Sequence, residues 1–249
     1  MNTNIIVREA EAADAHWAET ITNEMAESAK ARGTGIAKRS PEYVKLKMDE
    51  GKAVIALTET GIWVGFCYIE SWQHEKFVAN SGLIVSPAFR KSGVAKQIKQ
   101  KVFALSRKKY PNAKIFGLTT GLAVMKINSD LGYEPVTYSE LTTDDEFWKG
   151  CQSCVNYEIL MSKERKNCMF TAMLYDPEEK AKEEQEKQEA AVAHRPIHDL
   201  HPDRRHFKGN FRLFERWVRF KQFVLLKGWR KKDGNDDKKT SFFSFLLFW

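Results

Sequence analysis

Cysteine is scarce in this sequence: the chain has four cysteines in 249 residues. That is too few for a disulfide scaffold of this length, which excludes the small disulfide-rich class of secreted proteins. The first 17 residues also lack the basic start and long apolar run of a secretory signal. No stretch approaches the roughly 20 apolar residues that cross a bilayer. We therefore expect a protein of the reducing cytoplasm.

Apolar residues, in contrast, are plentiful. They make up 43% of the chain and include 16 phenylalanines, which can fill a core and exclude a disordered protein. This length accommodates one domain of ordinary size and a substantial appendage. The net charge of +7 says little about the domain, because most of the clustered charge lies beyond residue 177.

Hydrophobic periodicity and turn signals divide residues 1–176 into strands and helices. Strands are predicted at 5–8, 53–57, 62–71, 78–85, 114–120, 133–138 and 168–175. Helices are predicted at 12–31, from 41 to 51, from 94 to the turn at 111, and at 122–131. This order predicts a mixed α/β domain of the α+β type, with helices on both faces of a mixed central sheet.

Residues 177–249 differ in composition from this domain. Residues 177–206 are strongly charged and predict a solvated helix or a linker, whereas residues 207–249 alternate aromatic with basic residues. We expect a helical extension whose tail docks on a membrane surface or a protein partner, or packs on the domain or within a homodimer. Nucleic acid is the least favoured partner, because no named nucleic-acid motif is present.

The most informative stretch joins the strand that ends at Val85 to the next helix, and reads Arg90-x-x-Gly93-x-Ala95. A helix N-terminus offers free backbone N–H groups and a partial positive charge, both suited to a pyrophosphate. Gly93 permits close approach of a ligand to the backbone, and Ala95 leaves room against the sheet.

Polar side chains of the same loop suit an anion. Arg90, Lys91 and Lys96 add positive charge, and Ser92 can donate a hydrogen bond. The alternative interpretation is a basic loop that caps a surface helix. The strand before the loop and the strand at residues 114–120 give it the β-α-β setting of a phosphate site, which favours phosphate binding.

The stretch from Leu83 to Ala95 resembles the coenzyme A signature of the GNAT N-acetyltransferase superfamily, and the order of elements over residues 4–138 resembles it too. The resemblance implies the GNAT fold and an acyl-CoA, such as acetyl-CoA, as co-substrate. It implies that the backbone of the strand pairs with the pantetheine arm and that the loop wraps the pyrophosphate. The residues so implicated are Leu83, Ile84, Val85, Arg90, Lys91, Ser92, Gly93, Val94, Ala95 and Lys96.

A narrower likeness covers the second half of the domain. Leu118-Thr119-Thr120, followed by the run from Leu131 to Val136 and by Ser139-Glu140-Leu141, resembles the acyltransferase domain of bacterial N-acetylglutamate synthases. Thr142 stands where that family has proline, and the gap between the first two motifs is longer. The likeness implies a role in amino-acid metabolism such as arginine biosynthesis, with Thr119 and Thr120 near the substrate.

Acyl transfer to an amine requires removal of a proton from the ammonium group before it attacks. The family often carries an acid on the strand before the coenzyme loop, but residues 78–81 contain none. Glu70, at the end of the preceding strand, is the preferred base. The alternatives are that Glu70 is a solvated strand-end carboxylate, or that His74 or Glu75 in the turn takes the role.

A second proton is needed by the leaving thiolate. Many family members place a tyrosine five residues before the aromatic residue at the position of Tyr133, and here that position is Asn128. Asparagine can donate a hydrogen bond to sulfur but cannot supply a proton at neutral pH. Tyr133 or solvent is the alternative donor.

The loop between the first two helices is a frequent substrate-binding element in this fold, and here it carries Lys38 and Arg39. Arginine can hold a carboxylate through two parallel hydrogen bonds. With the synthase likeness, these cations predict an acidic amino acid such as glutamate as the amine, and acetyl- or succinyl-CoA as the donor. The alternative is a solvated basic loop.

The cysteines Cys151, Cys154 and Cys168 give three potential thiolate ligands, whereas a structural zinc site needs four. We therefore expect no metal and interpret them as reduced, partly buried thiols. Two other functions stay open: acylation of a protein or other small-molecule amine, and a non-catalytic sensor that binds acyl-CoA. The sensor stays open because Asn128 replaces the acid.

Overall fold

The computed structural model describes residues 4–33, 39–154, 156–166 and 168–193. All its elements belong to one compact unit, residues 1–195. The predicted substrate residue Lys38 and the predicted tail, residues 207–249, lie outside the described residues. None of the helices within the described ranges is long and apolar enough to cross a membrane.

A seven-stranded sheet forms the centre of the fold, with strand order β1-β2-β3-β4-β5-β7-β6. The strands are β1 Ile5–Glu9, β2 Ala53–Thr58, β3 Trp63–Trp72, β4 Phe77–Val85, β5 Lys114–Thr119, β6 Glu134–Val136 and β7 Thr171–Tyr175. The helices are α1 Ala18–Arg32, α2 Pro41–Asp49, α3 Val94–Lys109, α4 Leu122–Asp130, α5 Asp145–Lys149, α6 Tyr157–Ser162 and α7 Pro177–Ala193. The predicted mixed α/β architecture is confirmed.

Helices cover both faces of the sheet because strand residues alternate between two cores. On one face, Val54 of β2 packs in a cluster with Ile98 and Val102 of α3. On the other, Ile55 packs in a cluster with Ile21 of α1 and residues of α2. Consecutive residues of one strand thus face opposite helical layers, as the prediction of helices on both faces requires.

β4 and β5 form the one parallel pair among the strands described here, and the pairing is short. It joins Phe77 to Lys114, Val78 to Ile115 and Ala79 to Phe116. No further pair joins these two described strands, although β4 continues to residue 85 and β5 to residue 119. The sheet is therefore open between the second halves of β4 and β5.

The chain between β6 and β7 was largely missed by the sequence prediction. It contains α5 and α6, of five and six residues, which are too short to show a helical period. Together with Phe116 and neighbouring strand residues, this segment builds a third core from Tyr138, Phe147 and Trp148. It then returns as β7, which inserts between β5 and β6.

Gly82 has a specific role in β4. Its φ of +66° lies in the left-handed region, and a Cβ at this position would lie 2.2 Å from Cε1 of Tyr68. The pairing of β3 with β4 shifts register between Phe66 and Tyr68, next to this residue. Only glycine fits both the backbone conformation and the tyrosine ring.

We predict that Gly82→Ala destabilises the fold more than Gly61→Ala, a matched control. Gly61 has a φ of +81°, but no atom lies within 4 Å of the place where its Cβ would be, so alanine there meets backbone strain alone. That strain costs about 1–2 kcal/mol, and the clash with Tyr68 adds about 1–3 kcal/mol. Urea unfolding measures both, and equal losses in the two variants would contradict the prediction.

Candidate active site

A pocket of about 830 Å³ lies where β4 and β5 part. Consecutive residues of both strands line it, from Ala79 to Leu83 on β4 and from Phe116 to Gly121 at the end of β5. From their first residues up to Ala79 and Phe116, the two strands are paired with each other. After these residues, each strand has an edge that faces the opening. A ligand in this gap can therefore meet unpaired backbone groups of β4 as well as side chains.

β4 leads from this pocket to the N-terminus of α3. Gly93 precedes the helix with a φ of +84°, and no side chain caps the helix. The first two amides of α3, those of Val94 and Ala95, therefore have no intrahelical acceptor and no capping side chain. The position where Gly93 would carry a Cβ has no atom within 4 Å, so the approach to these amides is open. Amides and helix dipole together favour a bound anion.

The predicted cations of this loop lie in different settings. Arg90 ties the loop to its surroundings: its Nε donates to the Val85 carbonyl at 3.1 Å, and its Nη2 to Glu24 and Ser28 of α1 at 2.8 and 2.7 Å. Lys96 is exposed, with its Nζ 3.7 Å from an oxygen of Asp130. The structure thus uses the Arg90 guanidinium to hold the loop against α1.

The remaining predicted loop residues are exposed or form the start of α3. Lys91 is exposed and has a left-handed φ of +65°. The Ser92 hydroxyl donates to the carbonyl of Phe89 at 2.6 Å. Val94 is buried in the α3 core and Ala95 is half-buried against it. Lys91 and Ser92 therefore border the helix N-terminus from the solvent side.

The three predicted residues of β4 divide between the pocket and the two cores. Leu83 lines the pocket. Ile84 is buried under α1 and α2, and Val85 is buried under α3. The side chains of Ile84 and Val85 therefore fix the strand, and contact with a ligand through these two residues would come from their backbone.

Glu70, the predicted base, lies in the pocket wall and is only 8% exposed. Its Oε1 accepts hydrogen bonds from the hydroxyl of Tyr43 and, at 3.3 Å, from Nη2 of Arg39. Its Oε2 accepts from the Ser81 hydroxyl at 3.2 Å. The alternative of a solvated strand-end carboxylate is therefore wrong, because the carboxylate is buried in a polar cluster.

Two tyrosines complete this cluster. Arg39 donates through Nε to the hydroxyl of Tyr68 at 2.8 Å, and its guanidinium lies 5.3 Å from the centre of the Tyr43 ring. Burial, followed by the negative charge of Glu70, raises the pKa of Tyr43 and of Tyr68 well above the ordinary value. Both hydroxyls therefore stay protonated at neutral pH.

Asn128 reaches the pocket from α4 and is 1% exposed. Its Nδ2 donates to the sulfur of Met173 at 3.7 Å, whereas its Oδ1 has no partner within the described part of the chain. The unpartnered atom is thus an acceptor, not the donor that the sequence prediction assigned to the thiolate. Such an acceptor can receive an N–H or S–H group from a ligand.

Tyr133, the other predicted acid, is 2% exposed and is not among the residues that line the pocket. Its hydroxyl donates to Oδ1 of Asn80 at 2.9 Å. Burial, followed by the nearby Cys67 thiol, raises its pKa well above the usual value. The structure therefore places Tyr133 behind the pocket wall.

Lys99 also lines the pocket and was not singled out in the sequence. It projects from α3, is 2% exposed, and has its Nζ 5.4 Å from the centre of the Tyr133 ring. Burial lowers its pKa, and the nearby Cys67 thiol opposes that shift only in part. One signal could have revealed it: Lys99 follows Ile98, in the middle of the apolar stripe of α3.

Thr119 and Thr120, predicted near the substrate, both line the pocket at the end of β5. The hydroxyl of Thr119 accepts from the amide of Gly121 at 3.1 Å. The alternative bases His74 and Glu75 lie in a turn with left-handed backbone and are not among the lining residues. The pocket therefore brings together Arg39, Glu70, Leu83, Thr119, Thr120 and Asn128 from the predicted set.

The far wall of the pocket comes from the segment between β6 and β7 and is aromatic and thiol-rich. Burial raises the pKa of the Cys151 thiol to about 11, so this thiol stays protonated at neutral pH. Across the ranges that the structure covers, no three His, Cys, Asp or Glu residues are placed to hold a metal ion. The lining residues of this segment include Tyr138, Phe147, Cys151, Cys154, Tyr157, Cys168 and Phe170. Trp72 of β3 and Phe116 of β5 pack against the Phe147 ring and extend the aromatic surface.

Comparisons with known proteins bear on the fold. A scan against protein-family models and a search of curated proteins gave no match. Among solved structures, N-acetylglutamate synthase from Neisseria gonorrhoeae, complexed with coenzyme A and N-acetyl-glutamate, is 15% identical with a TM-score of 0.50. That match covers 71% of this chain but only 36% of the synthase.

Two smaller acetyltransferases are similar over most of their own length. Diaminobutyrate acetyltransferase from Paenibacillus lautus is 13% identical with a TM-score of 0.47, over 71% of this chain and 96% of that one. A GNAT superfamily phosphinothricin acetyltransferase from Sinorhizobium meliloti is 17% identical with a TM-score of 0.47, over 69% and 88%. At these identities a likeness concerns the fold, and on the match to the gonococcal synthase this chain has the fold of the GNAT acetyltransferases.

Proposed function

We propose that this chain is an acyl-CoA-dependent N-acyltransferase that acts on the amine of a small molecule. The observation that carries the proposal is one continuous strand, β4, with an uncapped helix N-terminus at its end and a buried carboxylate beside its middle. Gly93 marks the helix N-terminus, and Glu70 is the buried carboxylate. The pocket between β4 and β5 gives the reacting groups a place to meet.

The acyl-CoA would bind along the open half of β4. The amides that begin α3, reached across Gly93, suit its pyrophosphate. The exposed Lys91 and Lys96 add positive charge there. The unpaired edge of β4 near Leu83 suits the amide groups of the pantetheine arm, because an extended chain can pair with it as a strand would.

Glu70 suits the removal of a proton from the acceptor ammonium. A carboxylate has about four acceptor positions, and three donors, from Tyr43, Arg39 and Ser81, hold this one. These bonds fix its orientation and leave it an acceptor position for the substrate. The neutral amine then attacks the thioester carbonyl carbon, a C–N bond forms, and the C–S bond breaks.

The class of amine follows from two opposing features of the pocket. Arg39 could hold the carboxylate of an acidic amino acid such as glutamate, but its charge is already matched by Glu70. The aromatic wall around Trp72 and Phe147 favours an acceptor with an apolar body. We therefore propose that the acceptor is an amino acid or a similar small amine. Acidic and aromatic amines are the two classes to be compared in the test.

The deciding experiment measures coenzyme A release from acetyl- and succinyl-CoA over the twenty amino acids and a set of aromatic amines. We expect turnover with at least one amine. Turnover on glutamate alone would support the acidic class, and turnover on aromatic amines the apolar class. Tight acyl-CoA binding without turnover on any amine would contradict the enzyme and support a sensor.

We predict that Gly93→Glu abolishes acyl-CoA binding, with Gly61→Glu as the matched control. Both glycines have a left-handed φ and open space where a Cβ would lie, so both variants lose similar stability. Only the Gly93 variant puts a negative charge at the helix N-terminus. Repulsion worth several kcal/mol corresponds to an affinity loss of about 100-fold or more. Calorimetric titration with coenzyme A measures it, and unchanged affinity would place the phosphates elsewhere.

We predict that Glu70→Gln lowers kcat by about 100-fold or more while the KM for acyl-CoA changes little. Glutamine keeps the shape of the side chain but cannot take up the proton. Glu75→Gln, in the neighbouring exposed turn, is the control and should retain wild-type rates. An unchanged kcat in Glu70→Gln would show that another group is the base.

A further inference from the structure

The proton required by the leaving thiolate has no source among the residues that the sequence suggested. Asn128 cannot supply one, and its amide nitrogen donates to the sulfur of Met173. Tyr133 lies behind the pocket wall, and its hydroxyl donates to Asn80. The hydroxyl of Tyr43 donates to Glu70, and that of Tyr68 accepts from Arg39.

Lys99 differs from these groups in position and in pairing. It lines the same pocket as Ser81, Gly82 and Leu83 of β4, and it projects from α3, which covers one face of the sheet. Among the described residues, no salt bridge or hydrogen bond to its ammonium group is present, and the nearest aromatic contact is the Tyr133 ring at 5.4 Å. A buried ammonium without an anionic partner is unfavourable for folding.

The groups around Lys99 do not balance its charge. The titratable side chains facing it are Cys67 of β3 and Tyr133. Burial raises the pKa of Cys67 to about 11 and that of Tyr133 well above the usual value, so both are neutral at neutral pH. These groups therefore do not neutralise the ammonium charge of Lys99, which can interact with a ligand that enters the pocket.

We propose that Lys99 is the general acid of the transfer, donating a proton to the coenzyme A sulfur as the C–S bond breaks. This inference rests on the proposed acyltransferase function. The amine nitrogen forms its bond to the carbonyl carbon after Glu70 has taken one ammonium proton. The sulfur leaves with the bonding electron pair and receives a proton from Lys99. The attacking nitrogen loses its second proton to water as the amide forms, Glu70 releases the proton that it took, and Lys99 regains one from water. The net change converts an ammonium and a thioester into an amide, free coenzyme A and one proton.

The lysine environment fits this task. Burial lowers the pKa of Lys99 from the ordinary lysine value, and a general acid works best when its pKa lies near the working pH. Before the C–S bond breaks, the same ammonium can stabilise negative charge developing on sulfur. A lysine on the surface of α3 would have neither property.

The test uses the full chain with Lys99→Met, which keeps an unbranched side chain one atom shorter and removes the proton. The control is Lys101→Met, an exposed position on the same helix. We expect kcat to fall about 100-fold in Lys99→Met, with a KM for acyl-CoA within about threefold of wild type, and the control to match wild type. The wild-type kcat should fall as pH rises through the lowered pKa of Lys99, and the variant should lose this basic limb.

A second measurement separates catalysis from a structural role. Because the removed charge has no partner, Lys99→Met should melt at the same temperature as wild type or higher. The unfolded chain binds the Lys99 proton more tightly than the folded chain, so wild-type stability rises with pH between the lowered pKa and the ordinary value of about 10.4. The advantage of the variant should therefore shrink as pH rises.

The outcomes are distinguishable. Wild-type turnover with a kcat in Lys99→Met within threefold of it would overturn the role of Lys99 and leave the acyltransferase function standing. A lower melting temperature in Lys99→Met, with the basic limb of the pH profile retained, would show that Lys99 supports the fold. A wild-type chain that turns over no amine would overturn the proposed function and this inference together.

Discussion

The short parallel pairing of β4 with β5 is the constraint on which the site depends. After the pair Ala79–Phe116 these two described strands are no longer paired, and the sheet opens without being cut in two. The two halves of the sheet stay connected through the first residues of β4 and β5, which are still paired. The opening exposes strand edge to ligand in the middle of a domain, where such an edge is otherwise covered. Glu70, Lys99 and Asn128 all line the pocket that this gap forms.

Much of the fold could be predicted because its signals are local. Alternating and helical periods indicated the strands from β1 to β5 and the helices from α1 to α4, and Gly93 marked the start of α3 through its setting between strand and helix. The position of β7 could not be found in this way, since insertion between β5 and β6 depends on contacts distant in sequence. The short helices α5 and α6 were missed because one or two turns do not establish a period.

The site shows the same division between local and long-range information. Glu70 could be named from its place at a strand end, but its donors come from α2, from the loop before it and from β4. Tyr133 was expected in the pocket, yet it lies behind the wall with its hydroxyl on Asn80. Lys99 was overlooked because lysine on a helix normally faces solvent. Its place after Ile98 in the apolar stripe of α3 is the one local hint, but burial of a lysine is decided by tertiary packing.

The insertion of β7 has a consequence for how this scaffold can change. The chain between β6 and β7 builds the far wall of the pocket, and it packs on strand residues such as Phe116 and Ala172 in a core that contains no residue of α3. Different side chains at the pocket-facing positions of this segment can therefore reshape that wall while α3 keeps its own packing on the sheet. The side of the pocket that this segment lines can therefore vary in shape, whereas the side that β4 lines is held by the pairing of the sheet.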